Sequence, residues 1–512
     1  MQPPLKTCSA ALASSKPVHR FSPVQKKSTF TSGDLMIFER LYDSDLAQSS
    51  FLIGCSDTGK ALVVDPRRDL EPYFKLAREH DLTITDVAET HLHADFLSGG
   101  RELARATGAR FWHSAEGDES WQYSGLDGLD AQAMLDGDRI ELGRCSIEAV
   151  HTPGHTPEHL SFLLYDGEQA IAGLTGDFLF VGTLGRPDLI DATGLGQNQS
   201  EKAARTLYAS AQRAMERFPH EVPLWPGHGA GSACGKSIGA LPTTTLAMEL
   251  AGAEWALFVQ KGDTQGFIHH ILSEQPESPT YFRRMKEENR DGFELRERSA
   301  RPSRAYPHLI QRALCGDFKV LDLRPRDDFQ RAHLKGSLHL PLGPHFATWS
   351  GWVLPEREPL LLITGSGMEA DRAAAALLHV GHDAIVGFLP FEALPRAELT
   401  SQPHLEIEEA HQKWQAKEAT FLDIRGASEW RQGYIPGALH HPLPLLTTEI
   451  DAIPRDRDLI VTCGSGRRAA VATSLLHAHG ITRASVFHGS MEAWTKAHLP
   501  TETPRHDARA AE

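Results

Sequence analysis

The sequence predicts an α/β protein with three folded domains, and three observations lead to this prediction. The chain has 512 residues, too many for one hydrophobic core at roughly 100–200 residues per domain. In the first half, apolar strand-like runs alternate with helical stretches, as in mixed α/β domains. The second half contains an internal repeat, which indicates two homologous domains in tandem.

The first 35 residues predict a disordered extension. Up to Gly33 the chain has many Ser and Thr, four prolines, five Lys or Arg and no acidic residue. Such a segment also suits an organelle transit peptide, although its prolines fit poorly with an amphipathic transit helix. We therefore expect the fold to begin near Met36, with residues 1–35 as a disordered tail.

Residues 36–275 predict the first folded domain. Two apolar runs, Phe51–Gly54 and Ala61–Val64, flank Asp57-Thr58-Gly59, which is a hairpin signal. Helical stretches follow, for example 73–80 and 201–216, so the domain is expected to be mixed α/β. The polar, charge-dense stretch 276–304 then predicts a linker or a surface helix.

The repeat defines the two later domains. The segment Val320–Arg324 reappears as Phe421–Arg425, with Leu321 and Leu422 at an offset of 101 residues. At the same offset an aromatic residue, a glycine and a proline of the first copy match residues of the same kind in the second. Chance is a poor explanation for so many matches in register. We expect domains at 305–400 and 401–500, followed by a tail over 501–512.

Composition excludes several function classes. The formal net charge of −15 argues against binding to duplex nucleic acid and against docking on an anionic membrane. We find no apolar run long enough for a transmembrane helix. Six cysteines without paired short spacings suit a reducing compartment rather than a disulfide framework or a CxxC zinc site.

Histidine and aspartate residues in four segments predict a metal site. Each segment follows an apolar strand-like run and lies beside a Gly or Pro turn, where loops present ligands on a rigid scaffold. Side chains two apart in an extended segment point the same way, so His91 and His93 are expected to converge on one point. The segments are Thr90–Phe96, His151–Thr156, Thr175–Asp177 and Pro226–Gly229.

In this order the segments resemble the metallo-β-lactamase superfamily, with its HxHxDH, TPGHT, TGD and GH motifs. The resemblance covers roughly 40–260 and implies an αββα sandwich with the site at one edge. Phe96 departs from the pattern, because dinuclear hydrolases of the superfamily have a metal-binding His there. A phenyl ring cannot bind metal, so the second position keeps at best Asp95, Asp177 and His228, and we expect one metal.

The His-x-His-Ala-Asp loop is similar to that of persulfide dioxygenases within this superfamily. The resemblance implies one Fe(II) held by His91, His155 and Asp177, a two-His, one-carboxylate set whose open positions suit oxygen chemistry. Zinc is d¹⁰ and cannot activate oxygen by redox. The residues that would orient the ligands or substrate are His93, Asp95 and His228.

Two more residues of this domain are candidate substrate contacts. Arg186 lies in a Gly-Arg-Pro-Asp segment that resembles the one following the iron-binding Asp in persulfide dioxygenases. Its guanidinium would suit the carboxylate of a glutathione-like thiol, and a structural surface Arg is the alternative. Cys234 lies six residues beyond His228, close enough to line the same pocket. Its thiol is a candidate persulfide carrier, and a buried inert thiol is the alternative.

A cysteine loop marks the second repeat. The strand-like run 459–462 leads into Cys463-Gly-Ser-Gly-Arg467-Arg468, and a helical stretch follows. Backbone N–H groups, the positive helix end and the two arginines all favour a thiolate and an anionic substrate. The loop resembles the rhodanese family, which implies that Cys463 accepts sulfane sulfur as a persulfide, with Arg467 and Arg468 beside it. In the first repeat Ile363–Met368 lacks the cysteine, so that domain is expected to be inactive.

Together these features resemble bacterial fusions of a persulfide dioxygenase with tandem rhodanese domains. The resemblance implies oxidation of a small-molecule persulfide by O2 to sulfite and thiol, and sulfur transfer among persulfide, sulfite and thiosulfate. Two alternatives stay open, a zinc-dependent thioester hydrolase of the glyoxalase II type and a noncatalytic sulfur carrier. We expect a cytoplasmic bacterial protein rather than a mitochondrial one, and the oligomeric state is open, a homo-oligomer included.

Overall fold

The computed structural model describes residues 36–192, 199–295, 301–354 and 357–504. The expected N-terminal tail, 1–35, lies outside the described residues, as does 505–512. Of the expected C-terminal tail, the first four residues are described, and Glu502 pairs through its backbone with Tyr434. Among the described helices, none combines the length and apolar content needed to cross a membrane.

The first domain contains two β-sheets. The six-stranded sheet has the order β1-β2-β3-β4-β5-β6, and the five-stranded sheet has the order β11-β10-β9-β8-β7. Strands β1 to β3 pair antiparallel, whereas β3 to β6 pair in parallel. The strands are β1 (Met36–Asp43), β2 (Gln48–Cys55), β3 (Lys60–Val64), β4 (Thr83–Ala88), β5 (Arg110–Ser114), β6 (Ala131–Met134), β7 (Arg139–Glu141), β8 (Cys145–His151), β9 (Leu160–Asp166), β10 (Gln169–Gly176) and β11 (Leu224–Pro226).

Helices cover the outer faces of both sheets. Because side chains alternate along a strand, Phe51 and Ile53 of β2 enter the core between the sheets, whereas Leu52 packs outward with Tyr73 and Leu103 of the first two helices. Helices α4, α6 and α7 cover the second sheet. The expected αββα sandwich is confirmed. The helices are α1 (Glu71–Glu79), α2 (Gly100–Thr107), α3 (Leu189–Ala192), α4 (Ser200–Arg217), α5 (Leu246–Gly252), α6 (Glu254–Lys261) and α7 (Thr264–Leu272).

The charge-dense stretch 276–304 contains a helix with one buried face, α8 (Phe282–Asp291). Phe282, Met285 and Asn289 are buried at spacings of three and four residues, which places them on one face. The many charged residues of α8 hide this apolar stripe in the sequence. Helix α8 is therefore part of the packed structure and not only a solvent-exposed connection.

The tandem domains each contain a parallel sheet. The sheet orders are β14-β12-β15-β16 and β18-β22-β21-β19-β20, so the repeated Leu-Asp strands, β12 and β19, hold equivalent places. The strands are β12 (Lys319–Asp322), β13 (His333–Leu334), β14 (Leu338–His339), β15 (Leu360–Ile363), β16 (Ile385–Leu389), β17 (Leu399–Thr400), β18 (His404–Leu405), β19 (Ala419–Asp423), β20 (Leu439–His440), β21 (Asp458–Thr462) and β22 (Ala484–Phe487). The helices are α9 (Leu309–Leu314), α10 (Arg326–Arg331), α11 (Phe346–Val353), α12 (Gly367–His379), α13 (Ile407–Gln415), α14 (Ala427–Arg431), α15 (Arg467–Ala478) and α16 (Ser490–Lys496).

The three domains share one apolar cluster. It joins Phe96 of the first domain to Phe346 of the second and Val461 of the third. Polar contacts add to it, because Leu97 N–H donates to the carbonyl of His379 (2.7 Å) across the first boundary. The first and second domains therefore pack directly beside the loop that carries the predicted metal ligands.

Candidate metal centre and sulfur loop

The four predicted segments meet at one edge of the sandwich. His91 follows β4, and His155 lies between β8 and β9. Asp177 directly follows β10, and His228 lies two positions after the end of β11. All four side chains are buried. The ends of four strands thus bring together residues that are far apart in the sequence.

His91, His155 and Asp177 form one ligand set. One ligand atom from each lies within 4.8 Å of the others. Nε2 of His155 lies 3.5 Å and Nε2 of His91 lies 4.0 Å from Oδ2 of Asp177. The second nitrogen of each imidazole is engaged elsewhere, since Nδ1 of His91 contacts Thr90 Oγ1 (2.9 Å) and Nδ1 of His155 contacts the carbonyl of Arg186 (3.2 Å).

The protonation preferences of this set suit a metal. Burial lowers the pKa of His155 to about 3 and lowers the pKa of His91 well below its ordinary value, so both imidazoles are neutral. Burial also raises the pKa of Asp177 to about 6, and both of its carboxylate oxygens are buried without a hydrogen-bond partner. A divalent cation supplies the partner that such a carboxylate needs, so the residues fit a bound metal.

His159, which the sequence analysis did not single out, holds the carboxylate ligand in place. The backbone N–H of Asp177 donates to Nε2 of His159 (3.0 Å), and Nδ1 of His159 contacts Thr152 Oγ1 (2.9 Å). His159 is fully buried. Its position four residues after His155, immediately before β9, is a signal that could have identified it.

His93 lies beside His91, with ring centres 4.2 Å apart, and its Nε2 faces a pair of carboxylates. Its Nε2 lies 3.1 Å from Asp65 Oδ1 and 3.4 Å from Glu89 Oε2, and these two carboxylates raise its pKa well above the ordinary value despite burial. The chain leaves β4 in a bend, and the planes of the two imidazoles lie at 54° to each other. The expected role of His93 in orienting ligands or substrate stays a prediction. Asp65 also accepts hydrogen bonds from the N–H and hydroxyl of Thr90, which steadies the ligand loop.

Asp95 and His228 lie on the other side of Asp177. Nε2 of His228 lies 3.3 Å from Asp95 Oδ2 and 3.6 Å from Asp177 Oδ1. Cys234 joins this group, because one ligand atom from each of Asp95, His228 and Cys234 lies within 4.8 Å of the others. Burial and the neighbouring carboxylates raise the pKa of the Cys234 thiol well above its ordinary value.

Arg186 is occupied by protein groups. It is buried, and its guanidinium donates to the carboxylate of Asp188 (2.6 Å), the carbonyl of Ala233 (2.8 Å) and the carbonyl of Pro276 (2.6 Å). These contacts tie three loops together and leave little of its donor capacity for a ligand. A substrate-binding role for Arg186 stays a prediction.

Cys463 directly follows β21, and three residues separate it from the start of α15. The N–H of Gly466 donates to Sγ (3.1 Å), and the Cys463 N–H donates to the hydroxyl of Ser490 (3.1 Å). Gly466 has a φ of +84°, a left-handed conformation that glycine adopts readily. The helix N-terminus and its N–H groups favour negative charge at this sulfur.

The two loop arginines contact protein groups. Nη1 and Nη2 of Arg468 lie 2.7 and 2.8 Å from the two carboxylate oxygens of Glu429. Arg467 lies over the ring of Trp349 in the second domain, with its guanidinium carbon 5.6 Å from the ring centre. The predicted catalytic role of Arg468 and the substrate-binding role of Arg467 stay predictions.

The equivalent loop of the second domain is filled by its own carboxylate. Oε2 of Glu369 accepts from the N–H of Gly365 (3.0 Å) and from the hydroxyl of Thr364 (2.6 Å). Ser366 Oγ accepts in turn from the Glu369 N–H (3.3 Å), which completes a helix cap. The loop has no cysteine, and the expected inactivity of this domain in sulfur transfer stays a prediction.

Family models match most of the described chain. The metallo-beta-lactamase superfamily model matches residues 43–233. The rhodanese-like domain model matches residues 307–389 and 406–497. The two rhodanese matches correspond to the two halves of the internal repeat.

Curated relatives cover parts of the chain. The hydroxyacylglutathione hydrolase of Polaromonas sp. is 30% identical over a match that covers 38% of this chain and 66% of that protein. The mitochondrial persulfide dioxygenase ETHE1 of Homo sapiens is 28% identical over 38% of this chain and 70% of its own length. The sulfurtransferase of Allochromatium vinosum is 35% identical over 17% of this chain and 82% of its own length.

A solved structure extends the likeness beyond the first domain. The crystal structure of a metallo-beta-lactamase from Staphylococcus aureus is 35% identical, with a TM-score of 0.61, and the match covers 70% of this chain and 99% of that one. The chain therefore belongs to the metallo-beta-lactamase superfamily and carries two rhodanese-like domains in tandem behind that fold.

Proposed function

We propose that the protein is an Fe(II)-dependent persulfide dioxygenase joined to a sulfurtransferase. The observation that supports this most is the buried set of two neutral histidines and one unpartnered carboxylate, His91, His155 and Asp177. Three protein ligands on one side of a metal leave positions for both a substrate sulfur and O2. The substrate is a low-molecular-weight persulfide of the glutathione type, and the products are sulfite and the thiol.

At the metal centre the chain positions ligands and excludes water. Bound Fe(II) would supply the one-electron chemistry that lets triplet oxygen react with sulfur. Thr90 and the Arg186 carbonyl hold the two imidazoles, and His159 holds the backbone of Asp177. Phe96 is fully buried and packs against the His93 ring, with ring centres 4.4 Å apart, so it fills space next to the ligand loop and helps to exclude water.

At the sulfur loop, Cys463 exchanges a sulfane sulfur. Its thiolate attacks the outer sulfur of thiosulfate, an S–S bond forms at Cys463, and the original S–S bond breaks with its electron pair leaving on sulfite. A second thiolate then attacks the outer sulfur of the Cys463 persulfide and restores the Cys463 thiolate. The Gly466 N–H stabilises the negative sulfur in both steps.

Two variants separate the activities. We expect His155→Ala to abolish persulfide-dependent oxygen uptake and to leave thiosulfate:thiol sulfur transfer intact. Cys463→Ser should abolish sulfur transfer and leave oxygen uptake with glutathione persulfide intact. Loss of both activities in both folded variants would contradict the two-centre proposal.

A zinc-dependent thioester hydrolase is the second candidate. The similarity to a hydroxyacylglutathione hydrolase, at 30% identity, favours it. Metal analysis of the purified chain, with assays on glutathione persulfide and on a glutathione thioester, distinguishes the two. Zinc with thioester hydrolysis and no oxygen uptake would replace the dioxygenase proposal, and a chain inactive in both assays that still accepts sulfur at Cys463 would be a sulfur carrier.

A further inference from the structure

We infer that Glu277, on the segment that joins the first domain to the second, is a positioning residue for sulfur transfer at Cys463 in the third. Its carboxylate holds the start of α14, the helix whose Glu429 in turn holds Arg468 of the sulfur loop. The inference rests on the proposed sulfur transfer at Cys463 and does not depend on the reaction at the metal centre.

Glu277 supplies the acceptor that the first N–H of α14 needs. Ala427 begins this helix, so its N–H has no acceptor inside the helix, and Gly426 before it has no side chain that could cap it. Oε1 of Glu277 accepts the hydrogen bond from the Ala427 N–H, and Oε2 lies 2.9 Å from the point where a Cβ on Gly426 would stand. The carboxylate also places negative charge at the positive end of the helix. A residue 150 positions away in the chain thus caps α14.

The position of α14 depends on polar and aromatic contacts. The helix has only five residues, too few to be stable in isolation, and they are half-buried or exposed. Its own domain holds the C-terminal half, because the Trp430 ring stacks on the Tyr434 ring (3.9 Å between centres) and Arg425 donates to the carbonyl of Glu429 (3.3 Å). The N-terminal end is held by Glu277.

Glu429 carries the position of α14 to the sulfur loop. It lies in the first turn of the helix, and its two carboxylate oxygens lie 2.7 and 2.8 Å from Nη1 and Nη2 of Arg468. Arg468 lies against the loop, since a Cβ on Gly464 would stand 3.4 Å from its Nη2. Burial by itself lowers the pKa of Arg468, but Glu429 and Cys463 outweigh it and raise the pKa. The direction in which this guanidinium presents its charge to an anionic sulfur donor therefore depends on where α14 begins.

The first domain fixes Glu277 in turn. The carbonyl of the preceding residue, Pro276, accepts a hydrogen bond from Arg186 (2.6 Å), and Arg186 also donates to the carbonyl of Ala233 (2.8 Å). The guanidinium is buried, and hydrogen bonds from a charged donor are stronger than those between neutral groups. The segment cannot move relative to the first domain without losing these bonds, so the first domain holds the point on which the third-domain helix rests.

Steady-state thiosulfate:thiol sulfur transfer with the full-length chain tests this role. Glu277→Ala removes the acceptor of the Ala427 N–H, so Arg468 should hold thiosulfate less well. We expect KM for thiosulfate to rise about 3- to 10-fold, as for the loss of one hydrogen bond, and kcat to change less than about two-fold. Glu277→Gln keeps an acceptor oxygen and should recover most of the wild-type KM. The matched control Glu274→Ala, at an exposed carboxylate three positions earlier, should behave as the wild type.

A double variant shows whether Glu277 acts through Glu429. If it does, adding Glu277→Ala to Glu429→Ala should raise KM for thiosulfate no further. Three results would overturn the inference in a chain whose wild type transfers sulfur. They are an unchanged KM in both Glu277 variants, a lower kcat alone, which a partly misfolded chain would also give, and an additive effect in the double variant. A wild type without sulfur transfer would instead refute the proposed function at Cys463, and the inference with it.

Discussion

Replacing His159 by alanine should weaken metal binding without touching any proposed metal ligand. In the wild type, the Asp177 N–H donates to Nε2 of this buried imidazole, and Nδ1 contacts Thr152 Oγ1. His159→Ala leaves the Asp177 N–H buried without an acceptor and opens a cavity behind the ligand.

The expected loss of metal affinity and of stability follows from these contacts. An unsatisfied buried N–H costs about 1–3 kcal/mol, equivalent to roughly 5- to 150-fold in an equilibrium constant. Loss of groups that orient metal ligands typically costs about 10- to 100-fold in metal affinity. We therefore expect iron to bind His159→Ala about 10- to 100-fold more weakly, and the metal-free variant to lose about 3 kcal/mol of unfolding free energy.

The assay is competition for Fe(II) between the protein and a chelator of known affinity, with urea unfolding of the metal-free protein. His333→Ala is the matched control, because His333 is also buried, stacks on Phe329 and bonds to its carbonyl (2.8 Å), but lies in the second domain. It should lose similar stability and keep the wild-type iron affinity. A folded His159→Ala that binds iron as tightly as the wild type would refute the reasoning.

Three further predictions concern the sulfur loop, the ligand loop and the domain boundary. Gly466→Ala places a Cβ 2.3 Å from the His488 carbonyl at a φ of +84°, so sulfur transfer should fall about 10- to 100-fold, with oxygen uptake unchanged. The control is Gly480→Ala, because Gly480 also has a positive φ (+77°) but its added Cβ meets no atom closer than 3.7 Å. This control should lose only about 1 kcal/mol of unfolding free energy. Equal sulfur-transfer rates in the two variants would contradict the prediction. Asn289→Ala removes hydrogen bonds to the carbonyls of His93 (2.7 Å) and Phe96 (2.8 Å), and urea unfolding should show a loss of about 3 kcal/mol, in contrast to a near-neutral surface substitution. His379 and Arg67 hold the pKa of Asp43 well below its usual range, although burial by itself raises it. The ionised Asp43 therefore stabilises the folded protein above about pH 4, and this stabilisation is lost as the pH falls below that value. Asp43→Asn should flatten that acid loss in pH-dependent unfolding, and an unchanged slope would count against it.

Local residue patterns were enough to identify the architecture. The continuous apolar run Phe51–Gly54 predicts a strand, and Phe51 and Leu52 enter opposite cores. The repeat of the Leu-Asp strand predicts the two rhodanese-like domains, because a parallel sheet needs the same buried strand in each copy. The Gly-rich turn after β21 predicts N–H groups around Cys463, since both features depend on residues adjacent in sequence.

Contacts between distant segments could not be predicted from the sequence. The buried face of α8 is hidden among charges, and Asn289 gains its role only by reaching the loop of His93, almost 200 positions away in the chain. Arg186 bonds protein groups because three separate loops converge on it.

The sequence by itself determined much of the strand and helix pattern, the tandem repeat and the candidate metal and sulfur segments, because hydrophobic periodicity and turn chemistry are local. Only the tertiary structure decided that Nε2 of His93 faces Asp65, that His159 supports Asp177, and that Cys234 lies beside Asp95. These outcomes depend on where separate strand ends and loops meet in space, and packing of the whole core sets those positions.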